Sequence, residues 1–215
     1  ILLPSVRLLY LTFDSILLDF RSFLPNIFIQ MKSNIELLNK LIHDIITYLS
    51  IERYSFFDGY STFYILYFSE ILGSEEMPND LEYCSLEIIY NFSRAFYNDF
   101  SNNCEIIIDN IFLFLSNYEN ESNESKFIIS KISEKYGAIY LFAVRCFNIF
   151  EEILTKCDEK SINQQIAAMN LLSYCYKGIA FVLSIELTDR LFIILIQSGV
   201  MNNPYQLIRI VSFEL

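Results

Sequence analysis

Acid–base chemistry needs a titratable side chain held within hydrogen-bond reach of a partner, and this chain offers few candidates. Its one histidine, His43, stands beside Asp44. Consecutive residues on a helix do not face each other, so the two form no catalytic dyad, and His43 reads as a surface or boundary residue. Glu75-Glu76 and Glu151-Glu152 are carboxylate pairs in sequence only. Nothing beside them supplies a proton partner, and they read as solvated turn or helix-face residues. Cys84, Cys104, Cys146, Cys157 and Cys175 are never closer than eleven residues, which leaves no CxxC and no Cys/His cluster to hold a metal. At helical spacing such cysteines act as small buried hydrophobes, and a reducing cytoplasmic or nuclear compartment is the expected home. There is no GxSxG, no GxGxxG after a strand, no P-loop and no HExxH. The sequence therefore points away from an enzyme, and from any metal or cofactor.

Charge and hydropathy narrow the remaining classes. Asp and Glu number 26 against 15 Lys and Arg, a net charge of −11 with no basic run. Nucleic-acid binding is disfavoured, because phosphate neutralisation supplies most non-specific affinity. An acidic surface suits either a basic peptide or plain solubility. Apolar residues reach 53% and mean hydropathy is +0.35, which raises the question of a membrane span. Residues 171–187 are interrupted by Lys177, Gly178 and Glu186, and 191–196 fall far short of the roughly 20 residues a span needs. No transmembrane helix is expected. Asn91, Asn120 and Asn123 each match the glycosylation pattern, as chance allows in a chain rich in Asn and Ser. The chain opens Ile1-Leu2-Leu3-Pro4, and Arg7 and Asp14 break the apolar run, so a secretory signal is not expected.

The elements that would position any site repeat. An apolar pair followed one helical turn later by a third, usually apolar, residue occurs at Ile45/Ile46/Leu49, Ile88/Ile89/Phe92, Ile128/Ile129/Ile132 and Leu171/Leu172/Cys175; Ile210/Val211 begins the same pattern, but Glu214 takes the third place. The first members are spaced 43, 40, 43 and 39 residues. A second marker, the last apolar residue before each polar break, falls at Ile29, Leu72, Leu115, Leu154 and Ile196. Its spacing is 43, 43, 39 and 42. Periods of this length mark helical units that bury a face only by stacking on their neighbours. Helical stripes are expected between Pro4 and Pro25, from Ser33 or Asn34 through Leu49, from Asp58-Gly59 to Gly73, from Asn79 or Asp80 through Phe92, and from Asn102 to Leu115. Residues 116–125 carry three glutamates and no aliphatic side chain, and read as an exposed loop. Gly137, Gly178 and Gly199 lie near expected helix ends, where glycine tolerates left-handed backbone angles.

Gly137-Ala138-Ile139, a helix ending at Ile153-Leu154, the polar run Thr155 to Lys160 and then Gln165-Ile-Ala-Ala-Met-Asn-Leu-Leu-Ser173 resemble an armadillo repeat. In that order, Gly-Ala-Ile opens the second helix and an Ala-containing third helix follows a short turn. The resemblance is to the armadillo and HEAT solenoids, and it implies an all-α, right-handed α-solenoid of about five repeats over residues 1–215. The terminal segments, with Ile1, Leu2, Leu3, Leu8 and Leu9 at one end and Leu207, Ile208, Ile210, Val211 and Phe213 at the other, lack the polar outer face of capping repeats. Residues 1–215 are therefore expected to be an internal segment stacked against flanking repeats of the same chain.

Positions one before, two after and three after the first member of each apolar pair give Asp44, Thr47 and Tyr48; Glu87, Tyr90 and Asn91; Phe127, Ser130 and Lys131; Asn170, Ser173 and Tyr174. Acidic, amide and tyrosine side chains recurring on successive helices suit an extended peptide, and the candidate binding residues are Asp44, Tyr48, Glu87, Tyr90, Asn91, Asn170 and Tyr174. Within the armadillo family that this chain resembles, the nuclear-import adaptors grip basic signals with a Trp and Asn ladder on their third helices. This chain has no Trp, and only Asn91 matches. Two functions stay open: a non-enzymatic scaffold or adaptor whose concave face holds a protein or extended peptide, or a structural length of solenoid within a transport receptor or larger enzyme.

Overall fold

The computed structural model describes residues 24–31, 40, 57–74, 79–117, 123–137, 139–156, 161–179, 182 and 185–199. These residues are all-α, with no strand among them: α1 (Leu24–Met31), α2 (Ser61–Leu72), α3 (Asn79–Ala95), α4 (Tyr97–Asn102), α5 (Cys104–Asn117), α6 (Asn123–Tyr136), α7 (Tyr140–Thr155), α8 (Ile162–Ile179) and α9 (Ile185–Gln197). The triplet Ile45/Ile46/Leu49, the pair Ile210/Val211, His43, Glu75-Glu76, Cys157 and both terminal segments lie outside the described residues.

Helix formation follows the apolar stripes. Ile88, Ile89 and Phe92 are fully buried, as are Ile129, Ile132, Leu171, Leu172 and Cys175, with Ile128 nearly so. Side chains at i, i+1 and i+4 share one broad face of a 3.6-residue helix, and that face meets the core in all three helices. α8 has an additional start signal, a reciprocal pair in which the Gln164 backbone N–H donates to Ser161 Oγ and the Ser161 N–H donates to Gln164 Oε1, each at 3.2 Å. This capping box satisfies two of the backbone donors that a helix start leaves without partners.

The helices pack in two rows. α2, α5, α7 and α9 follow one another in the first, and α3, α6 and α8 in the second. α2 lies on α3, and α8 lies on both α5 and α7, so the core runs between the rows. At one end Phe57, Tyr64 and Phe92 form an aromatic cluster with ring centroids 5.0 to 5.4 Å apart. Such pairs each contribute about 0.5–1.5 kcal/mol beyond area burial.

Bonds along each row join residues one sequence period apart. Asn110 of α5 donates to the Ser69 hydroxyl of α2 at 3.2 Å, Ser133 of α6 donates to the Cys175 carbonyl of α8 at 2.7 Å, and the Tyr136 hydroxyl of α6 donates to the Ser93 carbonyl of α3. Their separations are 41, 42 and 43 residues. α6 and α8 cross in backbone contact at Gly137 and Gly178. A Cβ on Gly137 would lie 2.2 Å from the Gly178 carbonyl carbon, and one on Gly178 only 2.0 Å from the Ser133 carbonyl oxygen.

Several expectations need correction. Gly137 and Gly178 are needed for helix–helix proximity and not for left-handed angles; positive φ occurs at Gly59 and Gly199 among the described glycines. The expected loop at 116–125 is shorter, because α5 continues to Asn117 and α6 begins at Asn123, with Ser125 fully buried. Small hydroxyl side chains fit where helices approach closely, and Ser85 and Ser93 of α3 are buried in the same way as Ser125 and Ser133 of α6. The helix expected over Asn102 to Leu115 is α5, which starts at Cys104; the short α4 ahead of it is not among the expected helices and ends at Asn102, and Asn103 between the two has a ψ of 10°. In the second marker series Leu72, Leu115 and Leu154 are buried, whereas Ile29 and Ile196 are exposed. No described helix follows α9 in its row, so nothing described covers Ile196.

Candidate functional site

The α3–α6–α8 row carries the positions singled out by their offset from the apolar pairs. Glu87, Tyr90 and Asn91 on α3 and Asn170, Ser173 and Tyr174 on α8 are all half-buried, as are Ser130 and Lys131 on the intervening α6. Asp44 and Tyr48 lie outside the described residues. Burial of the triplets explains the placement, since residues next to an inward stripe fall on its border and not at the helix crest. Tyr90 and Tyr174 pack their rings against the edge of the core. Each also meets a cation: the Arg94 guanidinium lies 5.7 Å from the Tyr90 ring centroid, and the Lys126 ammonium of α6 reaches across to 6.0 Å from that of Tyr174.

Phe127 is the most exposed side chain of this set, at 62%, with the Lys131 ammonium 5.5 Å from its ring and Lys131 ion-paired to Glu134. It holds the same offset on α6 as Glu87 and Asn170 hold on their helices, so the signal was present in the sequence, but an apolar residue was passed over in a search for polar ones. Lys126 and Arg94, which frame the two tyrosines, were not found by that offset. Lys135 donates to the Arg94 carbonyl at 3.4 Å, and burial together with the nearby Arg94 charge pulls its ammonium below the ordinary lysine range.

Charge is divided between the rows. Among described side chains, α3, α6 and α8 present Arg94, Lys126, Lys131, Lys135 and Lys177 against Glu87, Glu124 and Glu134. The α2–α5–α7–α9 row presents Glu70, Glu105, Asp109, Glu151, Glu152 and Asp189 against Arg145 and Arg190, and both arginines are ion-paired, to Asp109 and Glu151 respectively. Among the described side chains the acidic surplus thus lies on the row opposite the candidate residues. No known family, curated protein or solved structure matches this chain significantly.

Chemistry elsewhere is sparse. Glu151 is tied to Arg190 while Glu152 borders a cleft on the other side of α7, so the adjacent carboxylates do not act on one point. Cys104, Cys146 and Cys175 from α5, α7 and α8 are buried. Its hydrogen bond with Cys175, burial and the neighbouring Cys175 and Cys104 push the Cys146 thiol well up, and burial raises that of Cys104. Such thiols are poor nucleophiles. Among the described residues no group of three or more His, Cys, Asp and Glu side chains is placed to hold a metal ion, and no helix is long and apolar enough to cross a membrane.

Proposed function

We propose that the chain is a length of right-handed, armadillo/HEAT-like solenoid acting as a non-enzymatic protein-binding scaffold, with the α3–α6–α8 row as its binding face. The observation that carries the reading is the bonding of each helix to its counterpart one period on, Ser133 to Cys175 and Tyr136 to Ser93, which is how stacked repeats would be held. The short α4 ahead of α5 and α6 supports reading these three helices as one repeat unit. On such a stack Glu87, Tyr90 and Asn91 of α3 and Asn170 and Tyr174 of α8 flank Phe127, Ser130 and Lys131 of the intervening α6, and amide and phenol groups on the two outer helices suit an extended protein segment that crosses all three. The mixed charge of this row does not select a basic segment.

A specific observation favours the second reading, a purely structural length of solenoid. Tyr90 and Tyr174 already pack against the core and against Arg94 and Lys126 of their own chain. A paired comparison separates the two. The intact protein and its Asn91→Ala/Asn170→Ala double variant are used as baits under matched conditions. Stoichiometric recovery of one partner by the parent, reduced about tenfold or more by the double variant, supports the scaffold; equal recovery by both assigns the row a structural role.

A further inference from the structure

Between α5 and α7, on the row opposite the candidate face, lies a cleft of about 250 Å³. Phe112, Leu113, Ile149 and Ile153 give it apolar walls, and Gln164 from the start of α8 closes one side. Its volume is below the roughly 300–1,000 Å³ of small-molecule pockets, and matches one or two side chains better than a free ligand. Apolar surface continues beyond it. Leu113 is 44% exposed, Ile106 two turns earlier on α5 is 49% exposed, and Leu141 on α7 is 50% exposed. Ile106 and Leu113 are seven residues apart and share one helix face, so the patch is a stripe.

The rim has a definite sign. Asp109 and Glu152 border the cleft and Glu105 stands one turn from Asp109, while the only cation among the described lining residues, Arg145, is bonded to Asp109 at 2.6 Å. Glu105, Asp109 and Glu152 outnumber Arg145 and Lys156, which stands one turn from Glu152, and Asp109 foremost, with Glu105 and Glu152, holds the Arg145 guanidinium above its ordinary range. We propose that this cleft docks a basic amphipathic segment of a partner protein, an apolar side chain entering between α5 and α7 and flanking Lys or Arg residues meeting Glu152 and Glu105. Charge complementarity selects this occupant, since a nucleic acid, an anionic membrane or an acidic peptide would meet like charge. The site is separate from the α3–α6–α8 row and does not rest on that row's binding anything.

Fluorescence anisotropy with a short labelled Leu/Lys peptide of helical spacing tests the proposal, with a Leu/Glu and a Ser/Lys peptide of the same length beside it. The intact chain is compared with Leu113→Ser, Glu152→Lys and, on the other row, Phe127→Ser. All three side chains are exposed, and circular dichroism confirms that each variant is folded. The expected result is saturable one-to-one binding of the Leu/Lys peptide, weakened about tenfold or more by Leu113→Ser and by Glu152→Lys and unchanged by Phe127→Ser. Absence of saturation, equal binding of the Leu/Glu or Ser/Lys peptide, or loss of affinity in Phe127→Ser but not in the cleft variants would overturn it.

Discussion

A single methyl group at residue 178 would sit 2.0 Å from the Ser133 carbonyl oxygen, and neither backbone can give way without separating α6 from α8. Gly178→Ala is therefore expected to destabilise the fold by at least about 3 kcal/mol, beyond an ordinary overpacking cost. At Gly59, where φ is +80° and nothing crowds the added carbon, the same substitution should cost only about 1 kcal/mol. Urea titration of the two variants checks the ranking. Thiol chemistry gives a second residue-level outcome. Burial and a raised thiol leave Cys146 mostly un-ionised, whereas Cys84 is only half-buried. In native protein Ellman's reagent should modify Cys84 well before Cys146, with the gap closing in denaturant, as peptide mapping would show.

At the scale of helices, attachment is uneven. α8 lies against α5, α6 and α7, while α9 packs principally on α7. Amides of α8 should thus exchange with deuterium most slowly and those of α9 early, because local opening costs less where fewer apolar contacts are lost. Comparable exchange in the two helices would show that α9 has support not visible among the described residues. The helices themselves were legible because a 3.6-residue stripe and a recurring Ile-Ile or Leu-Leu pair are direct consequences of burying one face. What misled was polarity read as exposure. Ser125 stands in a run of Asn, Glu and Ser that has the composition of a loop, yet a small hydroxyl fits a close helix crossing better than leucine would. The role of Gly137 and Gly178 was hidden for a related reason: proximity between helices 41 residues apart leaves no local mark in the chain. Of the candidate face, the offset rule found the border residues of α3 and α8, but it could not see the cations that reach them from the side, nor the cleft formed by two helices of the other row.

Over the whole molecule, the buried phenols set a limit in alkali. Burial pushes Tyr67 and Tyr136 up to about 12, against an ordinary value near 10, and raises Tyr64 as well. Between pH 10 and 12 the unfolded chain releases these protons and the folded chain keeps them. Fewer protons on the unfolded state means stability falls as pH rises through that window, having been constant in this respect below it. Thermal melts should show Tm dropping across pH 10–12, with a shallower drop in Tyr67→Phe, which has one fewer phenol to ionise. The boundary between the α5/α6 and α7/α8 pairs has mechanical consequences of its own. On one row it is closed by glycine backbones in contact, Gly137 on Gly178, which can neither compress nor slide; on the other it holds a cleft bridged by the Asp109–Arg145 ion pair. The glycine contact fixes the spacing of the two pairs on its own row, so any opening of the boundary would fall on the other row and change the width of the cleft.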